Sequence, residues 1–330
     1  MSMPGPTSTA SVRTPTPTPT AEPIPSAPAQ VFGGDCDAVL TAAQAGEALG
    51  MPMSVMTAGD PKITPQEFAV RQLGGLDCGW APTAAQTGAR IAIVVLPAAF
   101  MEPTDTTKPY CYGSDSGTGW TASCSFNVEG SGFWLSGVAS TPVGTTNEDA
   151  RTAIAKLSAQ FSLNAAAAPV FVPTPTAPGS WTDTTQTDCM ADSEPLAAAL
   201  AETGITAAPG NAAGELPHGF YRALGSAGTA ACMWSREAST GRDDVFDTDI
   251  LPGAAWVQTQ LAALPGVTEV SVAGVERALL SNPDPALGRA PGLDIFDGPN
   301  WLHLDLHSMQ EPVSYGPVAA ALVAALNDAG

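Results

Sequence analysis

Gly74–Pro82 reads GGLDCGWAP, and Ala230–Arg236 reads AACMWSR. Each sets a cysteine two residues before a tryptophan, Cys78 with Trp80 and Cys232 with Trp234. In an extended strand residues i and i+2 share a face, so each cysteine points the same way as its tryptophan. Superposing the two sites brings the rest of the chain into register. Cys36 precedes Cys78 by 42 residues, and Cys189 precedes Cys232 by 43. Between them, TPQEFAVRQLGG (64–75) matches LPHGFYRALGS (216–226), both Pro-x-x-Phe followed by Arg-x-Leu-Gly. Downstream, LPAAF at Leu96 matches LPGAAW at Leu251, and VEGSGFWL at Val128 matches FDGPNWL at Phe296. Pro142–Val143 and Pro312–Val313 then each precede an Ala-rich helix. Five markers in one order make an internal duplication. Its period, about 150 residues, is far too long for a solenoid and makes each copy a domain.

The expected organisation follows. Residues 1–33 are a Pro/Thr/Ser-rich spacer, 34–164 the first repeat, 165–184 a Pro/Thr-rich linker, and 185–330 the second repeat. In the first repeat a helix begins after Cys36, capped by Thr41 with Gln44 three residues on, and stops at Gly50. Its counterpart runs from Ser193 to Gly204. A second helix starts at Thr64 with Pro65 first and Glu67 third, the pattern of a capping box. DCGWAP, RIAIVVLP, SCSFNVE and FWLSGVAS read as strands, the last two joined by an acidic-Gly turn. A closing helix aligns Ala150, Ile154, Leu157 and Phe161 on one face, and Val318, Leu322 and Leu326 in the second copy. Strands bracketed by helices predict an α+β fold: two tandem homologous domains, each an antiparallel sheet packed by helices and stapled by disulfides.

Composition narrows the function classes. The 330 residues are 44% apolar, with 32 acids against 12 bases and a net charge of −20. Phosphate binding needs a Lys/Arg surface, so nucleic acid is excluded as a partner, and an anionic membrane face is disfavoured. No apolar run reaches the roughly 18 residues of a membrane span. The N-terminal stretch has no apolar core of a signal peptide. Its spacer composition nevertheless suits a stalk holding a folded head away from a membrane or wall, with export signal and lipid-bearing cysteine belonging to a precursor. Membrane attachment is expected only through that anchor.

Six cysteines, 36, 78, 111, 124, 189 and 232, form no Cys-x-x-Cys, so neither a redox motif nor a zinc knuckle arises. An even count predicts disulfides and an oxidising compartment, against free thiols in a cytosolic protein as the alternative. Pairing Cys78 with Cys36 and Cys232 with Cys189 would pin the first helix of each copy to its sheet. Each such loop is worth about 3–4 kcal/mol in the chain-entropy model. The remaining pair, Cys111 and Cys124, would close a Gly/Ser-rich excursion found only in copy one.

With its first cysteine, the capped helix ending ALGM (48–51), the Cys-x-Trp strand and the closing helix, each copy resembles a family of actinobacterial cell-envelope lipoproteins. Those carry a domain of unknown function behind a Pro/Thr/Ser-rich spacer. The likeness covers 36–163 and 189–328 and implies export and surface anchoring. It supplies no catalytic residues, and this chain departs from it in having two copies and no lipidated cysteine.

Candidate chemistry is sparse. SDSGTG (114–119) lacks both the second Asp-Ser/Thr-Gly of an aspartic protease and, in its own domain, the histidine of a serine protease. GRDDVFDTD (241–249) is dense in carboxylates but lacks EF-hand spacing and reads as a solvated acidic loop. WLHLDLHS (301–308) alternates, setting Leu302, Leu304 and Leu306 on the core face and His303, Asp305 and His307 on the other. Imidazole and carboxylate on one face could ligate a divalent metal. However, His303 and His307 stand about 13 Å apart along a strand, so one ion takes only two of the three without a bulge. The aligned Ser136, Val138 and Ser140 cannot bind metal, so this face is either a site acquired by copy two or simply its solvated side. His218, aligned with Gln66, reads as ordinary surface. The expected protein is therefore an exported, envelope-tethered binding or scaffold protein without catalytic activity. Its partner is an envelope protein or a small ligand, and copy one alone could be a spacer. The alternative is a metal-dependent enzyme or metal-binding protein built on the His-x-Asp-x-His strand.

Overall fold

A computed structural model describes residues 24–56, 64–83, 88–101, 109–112, 122–130, 132–173, 179, 181, 196, 198, 205–209, 217–238, 241–282, 291–306 and 315–329. The fold is α+β, built on two antiparallel sheets.

In the first repeat, the short α1 (Cys36–Val39) leads into α2 (Ala42–Leu49). Thr41 accepts from the Gln44 amide while the Gln44 side chain accepts from the Thr41 amide, so the expected capping box closes α2. Gly50 ends it in the left-handed conformation, φ 72°, which costs glycine no Cβ clash. Next come β1 (Met53–Val55), α3 (Pro65–Gln72), β2 (Leu76–Pro82), β3 (Arg90–Pro97), β4 (Tyr110–Tyr112), β5 (Ser123–Glu129), β6 (Phe133–Ser140) and α4 (Asn147–Ala167). Pro65 opens α3 as expected, but Thr64 makes no side-chain cap bond, so the second capping box does not form. The strands pair in the order β1-β2-β3-β6-β5-β4.

The second repeat contains β7 (Ile205–Pro209), α5 (His218–Ala227), β8 (Ala230–Ala238), β9 (Gly241–Leu251), α6 (Gln258–Ala262), β10 (Val267–Val270), β11 (Arg277–Ser281), β12 (Gly292–Asp297), β13 (Asn300–Asp305) and α7 (Tyr315–Ala329). Its order, β10-β11-β12-β13-β9-β8-β7, reproduces the first sheet position for position and adds β10 at one edge. The helix expected from Ser193 to Gly204 lies almost wholly outside the described residues. The acidic stretch from Gly241 is not a loop but strand β9, paired with β8 and β13. Its alternation decides this: Phe246 and Ile250 enter one core while Asp247 and Asp249 take the opposite face.

Each sheet is covered on its first face by its own closing helix. Ala150, Ile154, Leu157 and Phe161 of α4 pack with Trp80, Ile91, Ile93 and Phe126, and Val318, Leu322 and Leu326 of α7 pack with Trp234, Ile250, Leu302 and Leu304. Both Cys-x-Trp tryptophans lie in these cores. Trp80 donates to the Leu40 carbonyl at 3.1 Å, and Trp234 to the Thr248 hydroxyl at 2.9 Å. Cys36 bonds Cys78 and Cys111 bonds Cys124, as the spacing predicts. Cys232 is also disulfide-bonded, and Cys189, its expected partner, lies outside the described residues.

The second face of each sheet is covered by the other repeat. Phe68 and Ala69 of α3 pack into a cluster with Leu251, Trp256, Leu279, Phe296 and Trp301. Reciprocally, Phe220 and Ala223 of α5 pack with Val94, Leu96 and Trp134. Helices α3 and α5 also touch each other. This explains why β3, β6, β12 and β13 are buried at nearly every position rather than at every second one. Among the described residues no helix is long and apolar enough to cross a membrane.

Candidate functional site

A cluster of buried polar side chains lies on the α3-covered face of the second sheet. Its strands bring together residues far apart in sequence. Across the sheet, Asp249 of β9 stands opposite His303 of β13, which stands opposite Asp294 of β12. One register step away, Asp247 faces Asp305, which faces Gly292. One imidazole thus sits among aspartates of three neighbouring strands.

His303 is not on a solvated face. It is 8% exposed and Asp294 3%, because α3 of the first repeat lies across this side. Asp294 Oδ1 meets His303 Nδ1 at 2.7 Å and accepts from the Trp301 indole N–H at 3.0 Å. Burial alone lowers the His303 pKa, but the Asp294 charge and hydrogen bond, joined by Asp249 and Asp305, raise it to about 8. The pairing thus favours the charged ring, with Nδ1–H donating to the Asp294 carboxylate. Asp249 moves the opposite way for a carboxylate: burial raises it to about 6, against a hydrogen bond from Gln66 and the nearby His303 charge, which lower it. That bond, Gln66 Nε2 donating to Asp249 Oδ1 at 2.7 Å, crosses between the repeats. A second crossing runs through Gln72, whose side-chain oxygen accepts from Trp256 Nε1 at 2.6 Å and whose amide donates to the Pro252 carbonyl at 3.3 Å.

The expected ligand strand is divided by these facts. His303 and Asp305 lie on the face that alternation assigns them, but His303 Nδ1 is committed to Asp294. His307 lies outside the described residues. Among the described residues, no group of three or more His, Cys, Asp or Glu side chains is arranged to hold a metal ion. The SDSGTG segment also falls outside them, and His218 is exposed at the start of α5. Sequence reasoning missed Asp294, Asp249 and Gln66. The first two carried a usable signal, the alternation of LDIF and VFDTDIL; Gln66 carried none, because its partner belongs to the other repeat.

No family model matches the sequence, and no curated protein matches it. Among solved structures, the di-domain ARO/CYC BexL from the BE-7585A biosynthetic pathway aligns over 84% of this chain and 95% of its own at 11% identity. Its TM-score of 0.15 is too low to carry an argument about fold or function.

Proposed function

We propose that the protein is an exported tandem-domain binding or scaffold protein, tethered at the cell envelope in its native form, that presents its two repeats as a single body. The observation that carries this reading is the pairing of its cysteines: two disulfides are formed, Cys232 is bonded, and no described cysteine is free. Such pairing belongs to an oxidising compartment. The Pro/Thr/Ser-rich first 33 residues support a stalk, and the resemblance to envelope lipoproteins rests on the short motifs alone. The buried acid–base cluster supports a structural role better than a catalytic one. Its imidazole is paired with a carboxylate of the same sheet and covered by α3, and the cluster is tied to the other repeat by the Gln66–Asp249 bond.

Fractionating cells of the source organism and alkylating the protein under denaturing, non-reducing conditions tests this reading. The expected result is an envelope location with no cysteine labelled. A cytosolic protein with reactive thiols would overturn it. The metal alternative draws on Asp305 and His303 sharing a face, and native mass spectrometry with zinc separates the two readings. Binding that His303→Ala abolishes would favour the metal protein.

A further inference from the structure

We infer that each repeat carries a docking surface whose partner is the other repeat, so that the chain is a fused pseudo-dimer held by that surface rather than by its linker. The reciprocity is residue by residue. In register, Leu96 and Trp134 of the first sheet occupy the places of Leu251 and Trp301 in the second. Phe68 of α3 and Phe220 of α5 are the same position of the Pro-x-x-Phe motif. Phe68 shares a buried cluster with Leu251 and Trp301, touching Trp301 directly, and Phe220 shares one with Leu96 and Trp134. Position i thus packs in the cluster of j′ while i′ packs in that of j, the signature of an isologous two-fold interface. Even the turns that follow β3 and β9 take part, with Phe100 against the first cluster and Trp256 against the second.

Several of the motifs that reveal the duplication are therefore interface residues. Pro-x-x-Phe supplies the helix anchor, the Leu-Pro turns supply the rim, and Trp134 with Trp301 supplies the floor. Both disulfides resolved here close within the first repeat, so neither staples the halves together. Phe171 packs on the first core and Trp181 in the second, which confines the covalent connection to the few residues between them.

The two sides have also diverged so that each fits only its own partner. Gly219 on α5 lies so close to the first sheet that a Cβ there would come within 2.9 Å of Ser136 Cβ and 3.3 Å of Val94 Cγ1. Ser136 and Val94 hold the places of His303 and Asp249. On the other side Gln66 of α3 reaches Asp249. Gly219, aligned with Glu67 of α3, is matched to the small, neutral pair, and Gln66, aligned with the exposed His218 of α5, to the ionic one. The predicted partner is therefore the unlike repeat, not a like one from another chain.

The experiment replaces residues 174–178 of the full chain with a site-specific protease sequence, cleaves it, and runs size exclusion without reductant. The pseudo-dimer predicts one peak at the uncut elution volume holding both fragments in equal amounts. Two separate peaks would overturn it. In the cleaved protein, Gly219→Val should weaken association about ten- to a hundredfold. The uncut Gly219→Val chain, checked by circular dichroism, reports whether the variant still folds. An unchanged dissociation constant for cleaved Gly219→Val, read by dilution of the two fragments, would show that this contact is not the docking surface and would equally overturn the inference.

Discussion

Strands β3 and β6 of the first repeat and β9 and β13 of the second hold the same positions in their sheets, yet they present opposite chemistry to the covering helix. The first pair offers Val94 and Ser136, and the second offers Asp249 and His303. Val94, Ser136 and His303 are buried and Asp249 is half-buried, and both faces rest on a Leu–Trp floor. The difference lies in how a buried polar group is satisfied. In the second sheet, Asp294 Oδ1 serves His303 and Trp301 together, and Gln66 serves Asp249. An unpaired charge would be costly at that depth, so the ionic version requires its partners all at once. One framework thus accepts an apolar or an ionic face, provided that the helix laid over it changes as well.

The largest expected effect comes from removing the anchor common to both sides. Phe68→Ala empties a site in edge-to-face contact with Trp301, centroids 5.5 Å apart. It should cost about 3–5 kcal/mol in chemical denaturation, with both repeats losing structure together. Close behind, replacing Cys36 and Cys78 by serine opens a loop of 42 residues and should cost about 3–4 kcal/mol. The equivalent change at Cys111 and Cys124, separated by 13, should cost less.

The ionic face predicts a pH dependence that the apolar face does not. His303 is raised from 6.5 to about 8, so its contribution is fully present below pH 6.5 and is lost as pH rises through 8. That shift corresponds to stability on the order of 2 kcal/mol, readable as a falling denaturation midpoint over this window. Asp249, raised from 3.8 to about 6, acts with the same sign at lower pH: its proton is held by the native state, so stability declines as pH climbs through that interval. His303→Gln should flatten the upper window and, by removing a charge that lowers Asp249, move the lower one to higher pH. The smallest effect is expected from Gln66→Met, which keeps the stem and removes the bond to Asp249. It should cost about 1 kcal/mol and move the Asp249 titration upward.

Much of each repeat was legible in sequence because its signals are local. Period-two alternation located β2 and β5, the apolar runs located β3 and β6, the Thr41–Gln44 box located α2, and the spacing of Cys36 and Cys78 matches their bond. The duplicated markers foretold two antiparallel sheets packed by helices; that their strand orders match came from the structure. What escaped depends on contacts between distant segments. Strand β9 reads as an acidic loop if its aspartates are counted and its alternating Phe246, Thr248 and Ile250 are not. His303 reads as solvent-facing because nothing near it announces α3, which arrives from more than two hundred residues upstream. Thr64 carries a cap motif, yet its side chain makes no cap hydrogen bond. The seventh strand, β10, has no counterpart among the described residues of copy one.

Differential scanning calorimetry tests the central claim, that two repeats exchanging helices form one cooperative body, most directly. A single transition is predicted, with calorimetric and van't Hoff enthalpies equal, and lowered as a whole by either Phe68→Ala or Phe220→Ala. Two resolved transitions, each moved by only one of these variants, would contradict it.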